Sequence, residues 1–151
     1  MEIMTERFGK VSFSEDDILL FPQGLVGFPG KHKFILLNQK EIDPFVWLQS
    51  VDDSRLVFLT IDPFIFFADY ELEVQLESDL LQEIGTITDL GVIAIVTIAE
   101  DFKDSTVNLL GPIVYNLKSQ KAWQLILDCS NYTTRHELFT NVPYAVSAGE
   151  R

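Results

Sequence analysis

Apolar residues along this chain gather in short runs separated by turn-forming residues, and few follow helical spacing. Nine such runs predict strands: 2–5, 11–13, 34–37, 45–48, 56–61, 92–98, 106–110, 113–116 and 122–127. The run Val92 to Ile98 is apolar at nearly every position, which predicts burial on both faces. A further stretch alternates, with Tyr70, Leu72, Val74 and Leu76 apolar and Asp69, Glu71, Glu73, Gln75 and Glu77 between them. Read as a strand, it has one greasy side and one side carrying carboxylates. Ser78 is placed to cap one short helix, with Leu80, Leu81 and Ile84 on one face and Gly85 ending it.

Turn signals recur about every ten residues, and no internal repeat or linker interrupts them. Pro22 to Gly30 holds three further glycines or prolines between its ends, and no Gly-Lys-Ser/Thr follows, so a phosphate-binding loop is excluded there. The tail around Tyr132, Arg135, His136, Leu138 and Phe139 is expected to form a helical turn or an ordered edge. The fold class that results is all-β and mainly antiparallel, a small barrel-like body or sandwich with one short helix. One domain over 1–142 accounts for the pattern, with 143–151 expected to fray.

Composition changes the picture in two respects. Hydrophobic residues make up 47% of the 151, which rules out a disordered chain despite a net charge of -12. Eleven basic against twenty-three acidic residues repel phosphate, so direct binding to nucleic acid or to anionic membrane is disfavoured. A protein with a basic surface is the natural complement. No apolar run is long enough for a membrane helix, the first residues lack the plan of a signal peptide, and Cys129 stands alone. These features together predict a cytoplasmic protein.

Particular stretches resemble the FliW family of bacterial flagellar assembly factors. They are Phe8-Gly9, then Asp17-Ile18-Leu19-Leu20-Phe21-Pro22-Gln23-Gly24-Leu25-Val26-Gly27-Phe28, then Pro44-Phe45-Val46-Trp47-Leu48-Gln49-Ser50. Asp62-Pro63-Phe64, Asp69-Tyr70, Thr106 to Ile113, Gln124 and the 132–138 tail continue the likeness in order. Gly111 departs from it, since alanine is expected before Pro112, and this predicts a looser bend. The resemblance implies a small β-barrel-like protein with two protein partners, flagellin before its secretion and the RNA-binding translational repressor CsrA. It implies that the protein freed from flagellin binds and antagonises CsrA, so that flagellin translation follows export.

Two sets of residues are candidates for partner contact. The carboxylates Asp69, Glu71, Glu73 and Glu77 suit a basic partner, and their proximity on one strand face is mildly unfavourable to folding. A solvated, charge-protected face explains the same row without a partner. The aromatics Phe45 and Trp47 beside Gln49, with Phe64 and Phe66 in the run 64–67, suit the apolar side of a helix. Plain core aromatics are the competing explanation.

Catalysis finds little support in spacing. His32 and His136 are far apart, neither lies in a metal-ligand spacing, and no nucleophile motif is present. No cofactor or metal is expected. A carboxylate–histidine site formed by Asp16 or Asp17 with His136, and a barrel binding a small ligand, are the alternatives to a binding protein.

Overall fold

The structure, a computed structural model, describes residues 1–72, 90–127 and 131–139. Strand β1 (Glu2–Thr5) and β2 (Gly9–Ser12) form an antiparallel hairpin of their own. Then follow β3 (Ile18–Leu20), β4 (Lys33–Asn38), β5 (Val46–Ser50) and β6 (Val57–Ile61). A single helical turn, α1 (Pro63–Phe66), precedes β7 (Gly91–Thr97). The chain continues through β8 (Thr106–Val107), β9 (Ile113–Asn116), β10 (Lys121–Gln124) and β11 (His136–Glu137).

Strands β3 to β7 meander, each antiparallel to the next. The sheet then closes: β7 pairs with β9, β9 with β10, and β10 with β3, giving a seven-stranded barrel. Strands β8 and β11 extend from β7 as a short flap. The seam between β3 and β10 is parallel and rests on one residue pair, Leu20 with Lys121. Gln120 reinforces it by donating to the carbonyls of Glu15 (2.7 Å) and Ile18 (3.1 Å). A ladder this short leaves side-chain bonds to supply what backbone pairing does not.

The wall buries apolar side chains on both faces, which explains why runs such as Val57–Ile61 and Gly91–Thr97 lack strict alternation. One face holds Trp47, Leu59, Ile61, Ala94, Val96, Val114 and Trp123. Elements outside the barrel cover them with Tyr70, Leu72, Leu109 and Leu138. The other face holds Leu19, Phe34, Leu48, Ile93, Ile113 and Ala122, with Phe21 and Leu25 packed against them.

The expected strand positions agree with the observed ones at β1, β2, β4 to β10, to within a few residues. Three stretches depart from the expected pattern or add to it. Ile18–Leu20 is a strand that the run-and-turn pattern leaves unassigned. Residues 69–72 keep the predicted alternation, with Tyr70 and Leu72 buried and Asp69 and Glu71 exposed, yet they join no ladder. The run 64–67 opens as a helical turn: Pro63 starts it, and the Asp62 carboxylate accepts the Phe64 N–H at 2.9 Å. The expected helix at 78–85 and the tail beyond 139 lie outside the described residues.

Candidate partner-binding surface

The segment leaving α1 builds the first part of the surface. With its turn capped by Asp62, α1 points Phe64 (41% exposed) and Ile65 (59% exposed) to solvent, while Phe66 and Phe67 pack inward. Thus Phe64 is presented and Phe66 is half-buried, a division that a helical turn makes and a strand would not.

Asp69 and Glu71 stand exposed beside this apolar pair. Tyr70 anchors them from beneath: its hydroxyl donates to the Leu109 carbonyl at 2.7 Å. The ring lies 4.7 Å from Tyr132 and 5.6 Å from Phe64, centroid to centroid. Burial, and secondarily the Tyr132 hydroxyl, push the Tyr70 pKa well above the usual tyrosine value, so it remains a donor throughout the neutral range. The Glu71 N–H donates to the Tyr132 hydroxyl oxygen at 2.7 Å. Glu73 and Glu77 lie outside the described residues.

An open hollow of about 480 Å³ runs beside this segment, between Phe66, Phe67, Tyr70, Leu109, Tyr132 and His136. The His136 ring sits edge-on to Phe67 and Tyr132, and its Nε2 accepts the Thr133 N–H at 2.8 Å. Partial burial lowers the His136 pKa, and accepting that N–H requires Nε2 to carry no proton. Asp16 lines a different hollow, with Lys33, Gln120 and Lys121, and the Asp17 carboxylate accepts the Ser14 N–H at 2.9 Å. The carboxylates weighed as partners for His136 therefore stand at another part of the molecule. His32 is also engaged, with Nδ1 2.8 Å from the Phe21 carbonyl. Among the described residues no three histidine, cysteine or acidic side chains converge as metal ligands, and no helix is long and apolar enough to cross a membrane.

Phe45 and Trp47 are buried in the same apolar cluster as Tyr70 and Leu72, with 9% and 8% of their surface exposed. Trp47 donates from Nε1 to the Gln39 Oε1 at 3.0 Å, packs against Phe8, and carries the Arg7 guanidinium 4.6 Å above its ring. Phe45 belongs to a circuit of four phenylalanines: 6.0 Å to Phe66, 6.1 Å on to Phe139, 5.6 Å to Phe102, and 5.6 Å back to Phe45. Edge-to-face and tilted pairs at such separations add to area burial and lock ring positions. The circuit joins Phe66 on α1 to Phe45, uniting two candidates that are far apart along the chain.

Gln49 differs from its neighbours in the candidate set. It is fully enclosed, and its Nε2 donates to the carbonyls of Ser50 (3.0 Å), Asp53 (3.4 Å) and Leu56 (3.2 Å). Its side chain shapes the turn between β5 and β6 and offers nothing to a partner. Gln49→Leu should cost about 1–3 kcal/mol, because three carbonyls lose a donor at once. Chemical denaturation measures that loss, and partner affinity of the folded fraction should not change.

The Gly111 bend is better tied than a loosened turn would be. Its N–H donates to Asn108 Oδ1 at 2.8 Å, and Gln124 Nε2 donates to its carbonyl at 3.0 Å. Gln124 Oε1 reaches further, accepting the Val26 N–H at 2.8 Å and binding the 22–30 loop to the barrel. An asparagine beside a Gly-Pro bend is readable from the sequence as a backbone brace, and Asn108 serves as one; the bracing role of Gln124 needed the fold.

Comparison with known proteins adds a consistent finding. The model of the FliW protein family matches residues 2–138. The flagellar assembly factor FliW of Bacillus subtilis is 41% identical over 138 residues, covering 91% of this chain and 96% of that protein. That of Heliobacterium modesticaldum is 42% identical over 141 residues, covering 92% and 91%. A crystal structure of the flagellar assembly factor FliW superposes with a TM-score of 0.84 at 38% identity, covering 92% of this chain and 97% of that one.

Proposed function

The chain belongs to the FliW family of flagellar assembly factors, and from that premise we propose that it works by exclusive binding in the cytoplasm. It holds flagellin before secretion. When flagellin is exported, the freed protein binds CsrA and relieves repression of flagellin synthesis. No substrate is transformed; the flagellin level sets how much CsrA stays active.

The observation that carries this reading is the segment 62–72. An exposed apolar pair, Phe64 and Ile65, stands beside exposed Asp69 and Glu71 on a backbone fixed by the Asp62 cap and the Tyr70 and Tyr132 hydroxyls. Apolar anchors edged by charge on a rigid base are what a specific protein interface requires. The acidic members are assigned to the basic partner CsrA, together with Glu73 and Glu77. The aromatic members Phe64, Phe66, Phe45 and Trp47 are assigned to a helix of flagellin.

Calorimetric titration with purified flagellin and with CsrA tests the reading, and absence of heat with both would end it. The charge assignment has its own test. Asp69→Lys combined with Glu71→Lys should weaken CsrA binding about tenfold or more, near 1.4 kcal/mol, and flatten its dependence on salt. Flagellin affinity should change less. An unaltered CsrA affinity would leave the carboxylates with a role in solubility alone.

A further inference from the structure

An open groove of about 370 Å³ lies between the turn entering β5 and the turn leaving β7. Its apolar surface comes from Ile42, Phe45, Trp47, Leu59, Ile98 and Phe102. We propose that this groove receives the apolar face of an amphipathic helix whose flanks carry lysine or arginine. The inference rests on the reading of the protein as a binder of other proteins, and gives one of its surfaces a defined occupant.

Ile98 is 49% exposed and Phe102 44% exposed, although each borders buried aromatic residues. Apolar side chains left in water above an apolar floor mark an interaction site when they are contiguous. The floor is firm. Phe102 stands on a 310 turn (Phe102–Asp104) capped by the Asp101 side chain, and the four-ring circuit fixes its position against Phe45 and Phe139.

The backbone around the groove decides against a strand as occupant. β5 is paired on both sides, by β4 and β6, and β7 by β6 on one side and by β8 and β9 on the other. Among the described residues no free ladder edge borders the groove, so an extended peptide would leave its own amides unpaired. A helix satisfies its backbone internally and presents side chains alone. A small polar ligand fits poorly too, because it needs convergent donors. The indole N–H of Trp47, the nearest donor in the floor, is already bound to Gln39.

Charge selects the flank of the helix. Glu41 and Asp43 line one bank, and Glu100, Asp101 and Asp104, all exposed, are the near chain neighbours of Phe102, which lines the other. Lys40 and Lys103 are the bases in these two turns, and Lys103 sits 3.6 Å from Asp101. The Arg7 guanidinium is engaged over Trp47. An apolar trough with two acidic banks complements lysine or arginine on both sides of an apolar stripe and repels glutamate there.

The test uses the full chain and three model peptides of about five helical turns: a leucine/lysine amphipath, its leucine/glutamate twin, and a scramble of the first without an apolar face. Calorimetry and amide and indole chemical shifts are the readouts. The lysine peptide should bind with shifts centred on Ile98, Phe102 and the Trp47 indole, and the glutamate twin about tenfold or more weaker. Phe102→Ser with Ile98→Ser should reduce binding about tenfold or more. Glu41→Lys with Asp43→Lys, exposed positions whose replacement spares the core, should shift preference toward the glutamate twin.

The proposal fails if no peptide binds, if twin and scramble bind equally well, or if the shifts fall elsewhere. It fails also if the chain dimerises in a concentration-dependent way that Phe102→Ser abolishes, which would make a second copy the occupant. The same variants titrated with flagellin and CsrA keep the two readings apart. Peptide bound in the groove without affinity for either protein would remove the functional reading and leave the groove. Both proteins bound normally by the Phe102 and Ile98 variants, with the peptide elsewhere, would do the reverse.

Discussion

Gly24→Ala should destabilise the protein by about 2–5 kcal/mol, measured by chemical denaturation with an unchanged m-value. Gly24 has φ of +69°, and an added Cβ would lie 2.7 Å from the Pro29 carbonyl oxygen and 2.8 Å from that of Phe28. Left-handed backbone costs an L-residue about 1–2 kcal/mol, and an obstruction made of backbone cannot rotate away, adding about 1–3 kcal/mol as overpacking does. The loop has little room to yield. The Phe28 N–H donates to Leu25 O at 2.7 Å, the Phe28 ring packs edge-on to Phe58 at 5.5 Å, and Gln124 holds Val26. Gly27→Ala is the control. Its φ is +89° but nothing lies within 4 Å of an added Cβ, so only the conformational cost of about 1–2 kcal/mol should appear. Equal losses at the two positions would refute the steric account.

Phe34→Ala should cost about 3–5 kcal/mol, the range for removing a fully buried phenylalanine. Its ring has no exposed surface, stacks edge-on to Phe21 at 5.2 Å and 71°, and touches Phe58 at 6.4 Å. It stands opposite Leu19 in β3 and Ser50 in β5, so the cavity would open where three strands meet. Phe64→Ala provides the contrast. That ring is 41% exposed, and its truncation should move stability by about 0.5 kcal/mol or less while weakening the flagellin binding proposed above. If Phe34→Ala is as mild as Phe64→Ala, the assignment of Phe34 to the core is wrong.

Much of the barrel was legible because strands packed on both faces write unbroken apolar runs, as Val92 to Ile98 does. The β3 strand escaped because its ladder is short and its exit is a proline- and glycine-rich loop; only pairing with β4 and the seam with β10 makes it a strand. The helical turn at 63–66 hid among phenylalanines, which favour strands. The signal for it was Asp62-Pro63, a capping residue followed by proline, which also reads as a strand terminator. In the candidate site, alternation correctly separated Asp69 and Glu71 from Tyr70 and Leu72. The fate of Gln49 depended on a turn several residues downstream. The pairing of Phe102 with Phe45 and Phe139 is a product of closure that no local pattern encodes.

The ring of strands also bears on how the protein is made. Leu20 and Lys121 meet across the seam, and β7 acquires β9 only after the intervening turns have formed. A nascent chain leaving the ribosome therefore displays unpaired strand rims until its last quarter emerges, and contacts so distant in sequence form slowly. Truncated translation products of this protein should be far more prone to clump than the finished molecule, whose wall has no beginning and no end.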